Sequence, residues 1–244
     1  MGNNIRTLIP AWNYIDYPGA NVEVPADRVQ RQVDECRREV HAKNALPRSS
    51  KVDGRFVLSE EHFPGLPRHA TDPKWSDFYK WRSTVESRKT YTPEELENKL
   101  PVVRPNKENL INPPANEVQV TWLGHASVLV QFDGWNVLAD PLFSERCAPV
   151  QFAGPARLRP SPVQAEDLPR VDAIVISHNH YDHLDRDSVV SLAKRRPAPM
   201  WFVPLGMKQW MDSCGVRNVV EMDWSEEAVL EDQANETGRP QLTI

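Results

Sequence analysis

Four side chains of metal-binding type fall within six residues: His178, His180, Asp182 and His183, in the stretch ISHNHYDHLDRDS from Ile176 to Ser188. Two imidazoles two positions apart, followed closely by a carboxylate and a third imidazole, suit zinc, with Fe(II) or Mn(II) as alternatives. A single histidine is ordinarily structural. Three with an aspartate, directly after the apolar run DAIVIS, are read as ligands carried on the loop at the end of a strand. Such loops, at the C-terminal edge of an open α/β sheet, let ligands converge without bending a regular element.

These residues cannot complete two metal sites. A catalytic zinc keeps three protein ligands and an open position, so a binuclear centre needs further donors. No histidine follows His183, and His41, His62, His69 and His125 are the others in the chain. The first three fall in irregular or surface-helix sequence. His125, in LGHAS, reads as structural, bonding within a strand turn. On this reading the site is half built.

The elements that must position the loop follow from pattern. Val118, Val120 and Trp122 alternate in EVQVTWL, and SVLVQF and WNVLAD flank Asp133-Gly134, a tight-hairpin signal. A proline-rich loop spans 141–169. DAIVIS, MWFV and NVVEM read as buried strands, separated by a helix over VVSLAKR capped by Asp187 or Ser188, and a short helix over MKQWMDSC closed by Gly215. Strand and helix in alternation predict an α/β fold.

Upstream, residues 1–26 look turn-rich and 44–72 irregular. A surface helix is expected over 27–43, and another from Lys74 to Arg88 with Trp75, Phe78, Trp81 and Val85 on one face. That aromatic stripe packs against the main domain or dips into a lipid interface. Thr92-Pro-Glu-Glu95 is a helix start with a capping box. The expected division is an extension over 1–115 and a domain over 116–244.

The 244 residues carry a net charge of −5 and no long basic block, which argues against nucleic acid as a partner. Cys36, Cys147 and Cys214 form no metal pair or disulfide framework, so an intracellular protein is expected, cytoplasmic or peripheral on a membrane. No apolar run reaches the ~18 residues a spanning helix needs.

The words TWLGHASVLV, LADPLFSERCAPVQFAGPARLRPSP, ISHNHYDHLD and WFVPLGMKQWM resemble the N-acylphosphatidylethanolamine-hydrolysing phospholipase D family of the metallo-β-lactamase superfamily. The resemblance covers most of residues 90–225. It implies an αββα sandwich, of which this chain would carry mainly the first half, with two zinc ions at its edge. His178 and His180 would hold one ion, and Asp182 and His183 the other. Asp140, in LADP, would orient the histidine loop from behind, and Tyr181 would contact substrate. The implied substrate is a phospholipid met at a membrane surface, with a homodimer left open.

The family pattern continues with a further histidine, a bridging aspartate and a late histidine that this chain lacks before its end at QLTI. The resemblance therefore implies a truncated form, leaving the first sheet with an unpaired edge and an uncovered apolar face. A non-catalytic chain acting as an interaction partner, and another phosphoester or lactone hydrolase of the superfamily, are the competing readings. Arg157 and Arg159 are expected to meet a phosphate or to pair with surface carboxylates.

Overall fold

The computed structural model describes residues 6–11, 34, 37–38, 49–52, 54–58, 75–84, 91–224, 226–232 and 239–244. Its strands in chain order are β1 (Arg6–Ala11), β2 (Ser49–Val52), β3 (Arg55–Leu58), β4 (Gln119–Gly124), β5 (Ser127–Phe132), β6 (Trp135–Ala139), β7 (Ala173–Val175), β8 (Met200–Pro204), β9 (Val219–Met222), β10 (Glu227–Asp232) and β11 (Leu242–Thr243). By contacts the chain forms two compact units, Met1–Leu46 with Val102–Ile244, and Pro47–Pro101. The larger unit thus takes in the start of the chain as well as the domain expected from 116.

A six-stranded sheet ordered β4-β5-β6-β7-β8-β9 is the frame of the larger unit. β4 to β6 run antiparallel, and β6 to β9 parallel. The β5–β6 turn is made by Asp133 and Gly134, both at positive φ (47° and 78°), as a two-residue primed hairpin requires. Helices Arg186–Ala193 and Lys208–Ser213 supply the β7–β8 and β8–β9 crossovers.

Alternation along the central strands divides the core in two. Ile174, Trp201, Val203 and Val219 face one side, where Val189, Leu192 and Met211 of the helices pack with Leu129 and Leu138. Ala173, Met200, Phe202 and Val220 face the other, where Trp135 joins Ala228 and Leu230 of β10 and Leu242 of β11. The period of two, buried on both faces, is what a central parallel strand demands. Layers of helix, six-stranded sheet and three-stranded sheet make this an α/β sandwich.

The second sheet, ordered β1-β10-β11, corrects two expectations. Residues 6–11, read as turn-rich, form a strand parallel to β10. Pro10 concealed it, but β1 is an edge strand, where proline is tolerated. The apolar face expected to lie uncovered is covered across β6 to β9. Trp135 donates from Nε1 to the Pro240 carbonyl (2.8 Å), and the Arg239 guanidinium lies 4.1 Å from the Trp135 ring while pairing with Asp172 at 3.1 Å. What stays exposed is the outer edge: Val118, Val120 and Trp122, which share one face as their alternation predicts, are 65%, 61% and 58% accessible. Leu123, on the same strand, turns into the helix-side core instead.

In the smaller unit, β2 and β3 form an antiparallel pair. Trp75–Thr84 is a helix, as expected, although the side chains of Trp75, Phe78 and Trp81, and Val85 altogether, fall outside the described residues. The Thr92 capping box is formed: Thr92 Oγ1 accepts from Glu95 N (3.1 Å), and Glu95 Oε2 accepts from Thr92 N (3.0 Å). Most of the 27–43 helix, including Cys36 and His41, is outside the described residues, as are His62 and His69. No helix among the described residues is long and apolar enough to cross a membrane.

Candidate metal centre

β7 ends at Val175, and Ile176 N still donates to Phe202 O (2.9 Å), so the chain leaves the sheet rigidly held. A turn closes at once: His183 N and Leu184 N both donate to His180 O (3.0 and 2.7 Å). Asp185 then caps the helix Arg186–Ala193 by accepting from Ser188 N (3.0 Å). The cap is therefore Asp185, not Asp187 or Ser188 as expected. Its carboxylate also accepts from Ser144 Oγ (2.6 Å) and Ser188 Oγ, and it is buried among them. Buried donors around one aspartate decide the cap more strongly than local sequence does.

The histidine loop folds back on Asp140, which follows β6 at a positive φ of 41°. Aspartate is among the few side chains that tolerate this region. Asp140 is 7% accessible. Oδ1 accepts from Ser177 N (2.7 Å), and Oδ2 accepts from Ser177 Oγ (2.7 Å) and His183 Nδ1 (2.8 Å). A carboxylate only accepts, so the His183 proton sits on Nδ1 and leaves Nε2 with a free lone pair. Ser177 Oγ, having donated to Asp140, accepts from His178 Nδ1 at 2.9 Å. His178 Nε2 is then also free to ligate.

One buried carboxylate thereby sets two imidazoles, the arrangement by which a partner behind the ligands fixes tautomer and ring orientation. The contribution of Ser177 could not be foreseen from residue type, because a serine before a histidine carries no signal of its own. Ser127, fully buried, holds the other side: its Oγ donates to Asp140 O (2.7 Å) and accepts from Leu142 N (2.9 Å).

The donor atoms converge in two groups. His178 Nε2 and His180 Nδ1 lie 3.2 Å apart. The second group is His125, Asp182 and His183, whose ligand atoms all lie within 4.8 Å of one another. His125 Nε2 is 2.8 Å from Asp182 Oδ2, and His183 Nε2 is 3.7 Å from the same oxygen. The His178 and His183 rings are 4.0 Å apart between centroids, so the groups adjoin. Nitrogen and carboxylate donors at these separations fit a borderline divalent cation such as zinc. Partial burial pushes the Asp182 carboxyl up, but its backbone bond, the His125 bond and the electrostatics of the two neighbouring imidazoles outweigh that and hold it below the usual value.

His125 is the residue that sequence reasoning placed elsewhere. It occupies the β4–β5 turn at φ 50°, after Gly124 at φ 98°. Its carbonyl accepts from Trp122 Nε1 (2.8 Å) while its ring points to Asp182. Tyr181 stands 54% accessible in the middle of the loop. Among the described residues Arg157 pairs with no carboxylate: its guanidinium donates to the carbonyls of Leu123 (3.1 Å), Leu142 and Arg159 (3.2 Å). Burial lowers its pKa, and a Cβ at Gly124 would collide with it.

Residues 135–242 match the family model of the beta-lactamase superfamily domain. The layered α/β sandwich and the donor loop accord with this match, which covers less than half of the chain. The chain is 47% identical over 111 residues to N-acyl-phosphatidylethanolamine-hydrolyzing phospholipase D 1 of Caenorhabditis elegans, covering 43% of this chain and 31% of that protein. It is 41% identical over 106 residues to the mitochondrial N-acyl-phosphatidylethanolamine-hydrolyzing phospholipase D of Saccharomyces cerevisiae (43% and 22% covered). A UPF0173 metal-dependent hydrolase of Anaeromyxobacter is 42% identical over 85 residues (34% and 26% covered). The chain thus spans about a third or less of each of these relatives.

Proposed function

We propose that the chain carries the metal-binding part of a zinc-dependent phospholipase D acting on N-acylphosphatidylethanolamine. The observation that carries this is the convergence of His178, His180, Asp182 and His183 on one surface, backed by Asp140, in a chain similar to two enzymes named for that activity. His178 and His180 are assigned to one ion, and Asp182 and His183 to a second. Bound there, a divalent cation supplies Lewis-acid stabilisation of phosphate charge and lowers the pKa of water toward ~7.

Hydrolysis adds water at phosphorus and breaks the P–O bond on the ethanolamine side. A proton passes to the leaving oxygen, and the products are an N-acylethanolamine and phosphatidic acid. In this reaction Asp140 and Ser177 hold the imidazole lone pairs outward, and Tyr181, at the open surface of the loop, is assigned to substrate contact. A lipid substrate requires work at a membrane surface. Supporting this, Phe152 is 86% accessible on a loop closed by the Arg146–Ala156 bridge. An exposed aromatic at a loop tip suits an interface better than bulk water.

The test is incubation of the zinc-loaded chain with vesicles containing N-acylphosphatidylethanolamine, with product lipids read by mass spectrometry. N-acylethanolamine release abolished by chelator is expected. Intact lipid beside turnover of a water-soluble phosphodiester or lactone would move the assignment to another hydrolase of the superfamily. No turnover of any of them would favour the non-catalytic reading.

A further inference from the structure

The pairing of His125 with Asp182 ties the β4–β5 turn to the histidine loop, although 57 residues separate them in the chain. Zinc–nitrogen and zinc–oxygen bonds of about 2.0–2.2 Å place tetrahedral donors about 3.4 Å apart. The separations of 2.8 Å from His125 Nε2 to Asp182 Oδ2 and 3.7 Å from there to His183 Nε2 bracket that value. His183 is already oriented for ligation through Nδ1 on Asp140. We propose that His125 is a metal ligand, completing with Asp182 and His183 a three-donor site built wholly from this chain.

Local structure favours this over a role in the turn alone. The side chain makes none of the turn's bonds: it is the His125 carbonyl that accepts from Trp122. A non-glycine residue at φ 50° carries backbone strain, which is retained where the surroundings fix the residue for a purpose. Gly124 before it cannot carry a Cβ, because the Arg157 guanidinium occupies that space while bonding to Leu123 and Leu142. Arg157 so anchors the turn that aims His125. The ring is also accessible, with 47% of its side chain exposed, so an ion can take the place of the proton that Nε2 donates to Asp182, the neutral ring then carrying its proton on Nδ1 and the displaced one passing to solvent.

The inference rests on the reading that the cluster binds a divalent metal, and its test separates the two. The apo 244-residue chain is titrated with cobalt(II), following the visible absorption and the affinity, in wild type and in three variants. His125→Asn keeps a residue that accepts positive φ but is too short to reach. His125→Gln keeps a donor for Asp182. His125→Cys offers a thiolate in place of the imidazole. His125→Asn and His125→Gln are both expected to lower cobalt affinity at this site at least about tenfold. His125→Cys is expected to add a thiolate-to-cobalt charge-transfer band absent from wild type, which still contains Cys147. Circular dichroism melts confirm that each variant is folded. Wild-type affinity in His125→Gln, or no new band in His125→Cys, would overturn ligation by His125 and leave the metal reading intact. No cobalt uptake by the wild type would overturn both.

Discussion

Asp140→Asn changes one atom yet reverses the polarity of the network behind the metal centre. The side chain is 7% accessible, so water does not take over its bonds. The new amide must keep its oxygen toward Ser177 N, since the opposite orientation sets two donors head-on at 2.7 Å. Its NH2 then occupies the position of Oδ2, where it donates to His183 Nδ1 and Ser177 Oγ. His183 is forced into the tautomer protonated at Nε2. Ser177 Oγ, now accepting from the amide, donates to His178 Nδ1, so His178 is protonated at Nε2 as well.

Both nitrogens aimed at metal lose their lone pairs unless these bonds break. Asparagine tolerates the φ of 41°, so backbone strain does not confuse the result. Loss of a partner of this kind weakens metal binding roughly 10- to 100-fold, or about 1.4–2.8 kcal/mol. Stability of the metal-free chain falls less, by about 1 kcal/mol, because each bond is replaced with its direction reversed. Competition with a chromophoric zinc chelator gives the affinity, and urea unfolding of apo protein gives the stability. Wild-type zinc affinity in Asp140→Asn would refute the reasoning, since it would mean that Asp140 does not set the tautomers.

Ser177→Ala severs the link to His178 and leaves the direct Asp140–His183 bond, so its zinc affinity should fall less than in Asp140→Asn by the same chelator assay. Asp185→Ala should destabilise by about 3 kcal/mol in urea unfolding, because it removes a helix cap and leaves Ser144 and Ser188 donors buried without their acceptor. The Asp182 carboxyl is held below its unfolded value, so its stabilising effect is complete above that value and is lost as pH falls through the lower folded one. In an apo unfolding series, wild type and Asp182→Asn should begin to converge only as pH falls below about 4. Val120→Thr, on the exposed face of β4, should raise solubility with stability changed by less than about 0.5 kcal/mol, measured by light scattering and melting.

The frame of the domain was legible because its strands report themselves. Asp133-Gly134 between two apolar runs marks a hairpin without reference to anything distant, and DAIVIS and MWFV are apolar on both faces because both faces are covered. β1 and β10 were not legible. RTLIPA contains a proline, and EAVLED has only three apolar residues between acids, so each becomes a strand only through its sheet partners, β1 on β10 and β10 between β1 and β11. Val118, Val120 and Trp122 alternate onto one face as read, but alternation shows only that a face is apolar, not whether it is covered.

At the site, residue types found the loop but not its wiring. The density of His178, His180, Asp182 and His183 is a property of sequence, whereas Ser177, Ser127 and Arg157 act through bonds that appear only once β4, β6 and β7 are side by side. His125 is the sharpest case. Read in LGHAS it is a turn residue, and 57 positions later Asp182 lies 2.8 Å from its ring.

The central claim is that Ile176–Ser188 is a metal centre, and its most direct test is metal content per chain of the purified protein after loading with zinc and removal of excess. Inductively coupled plasma mass spectrometry should find bound zinc at one equivalent or more, reduced in His183→Ala and in His178→Ala. A folded chain that retains no zinc, or retains as much when both histidines are replaced together, would contradict the account.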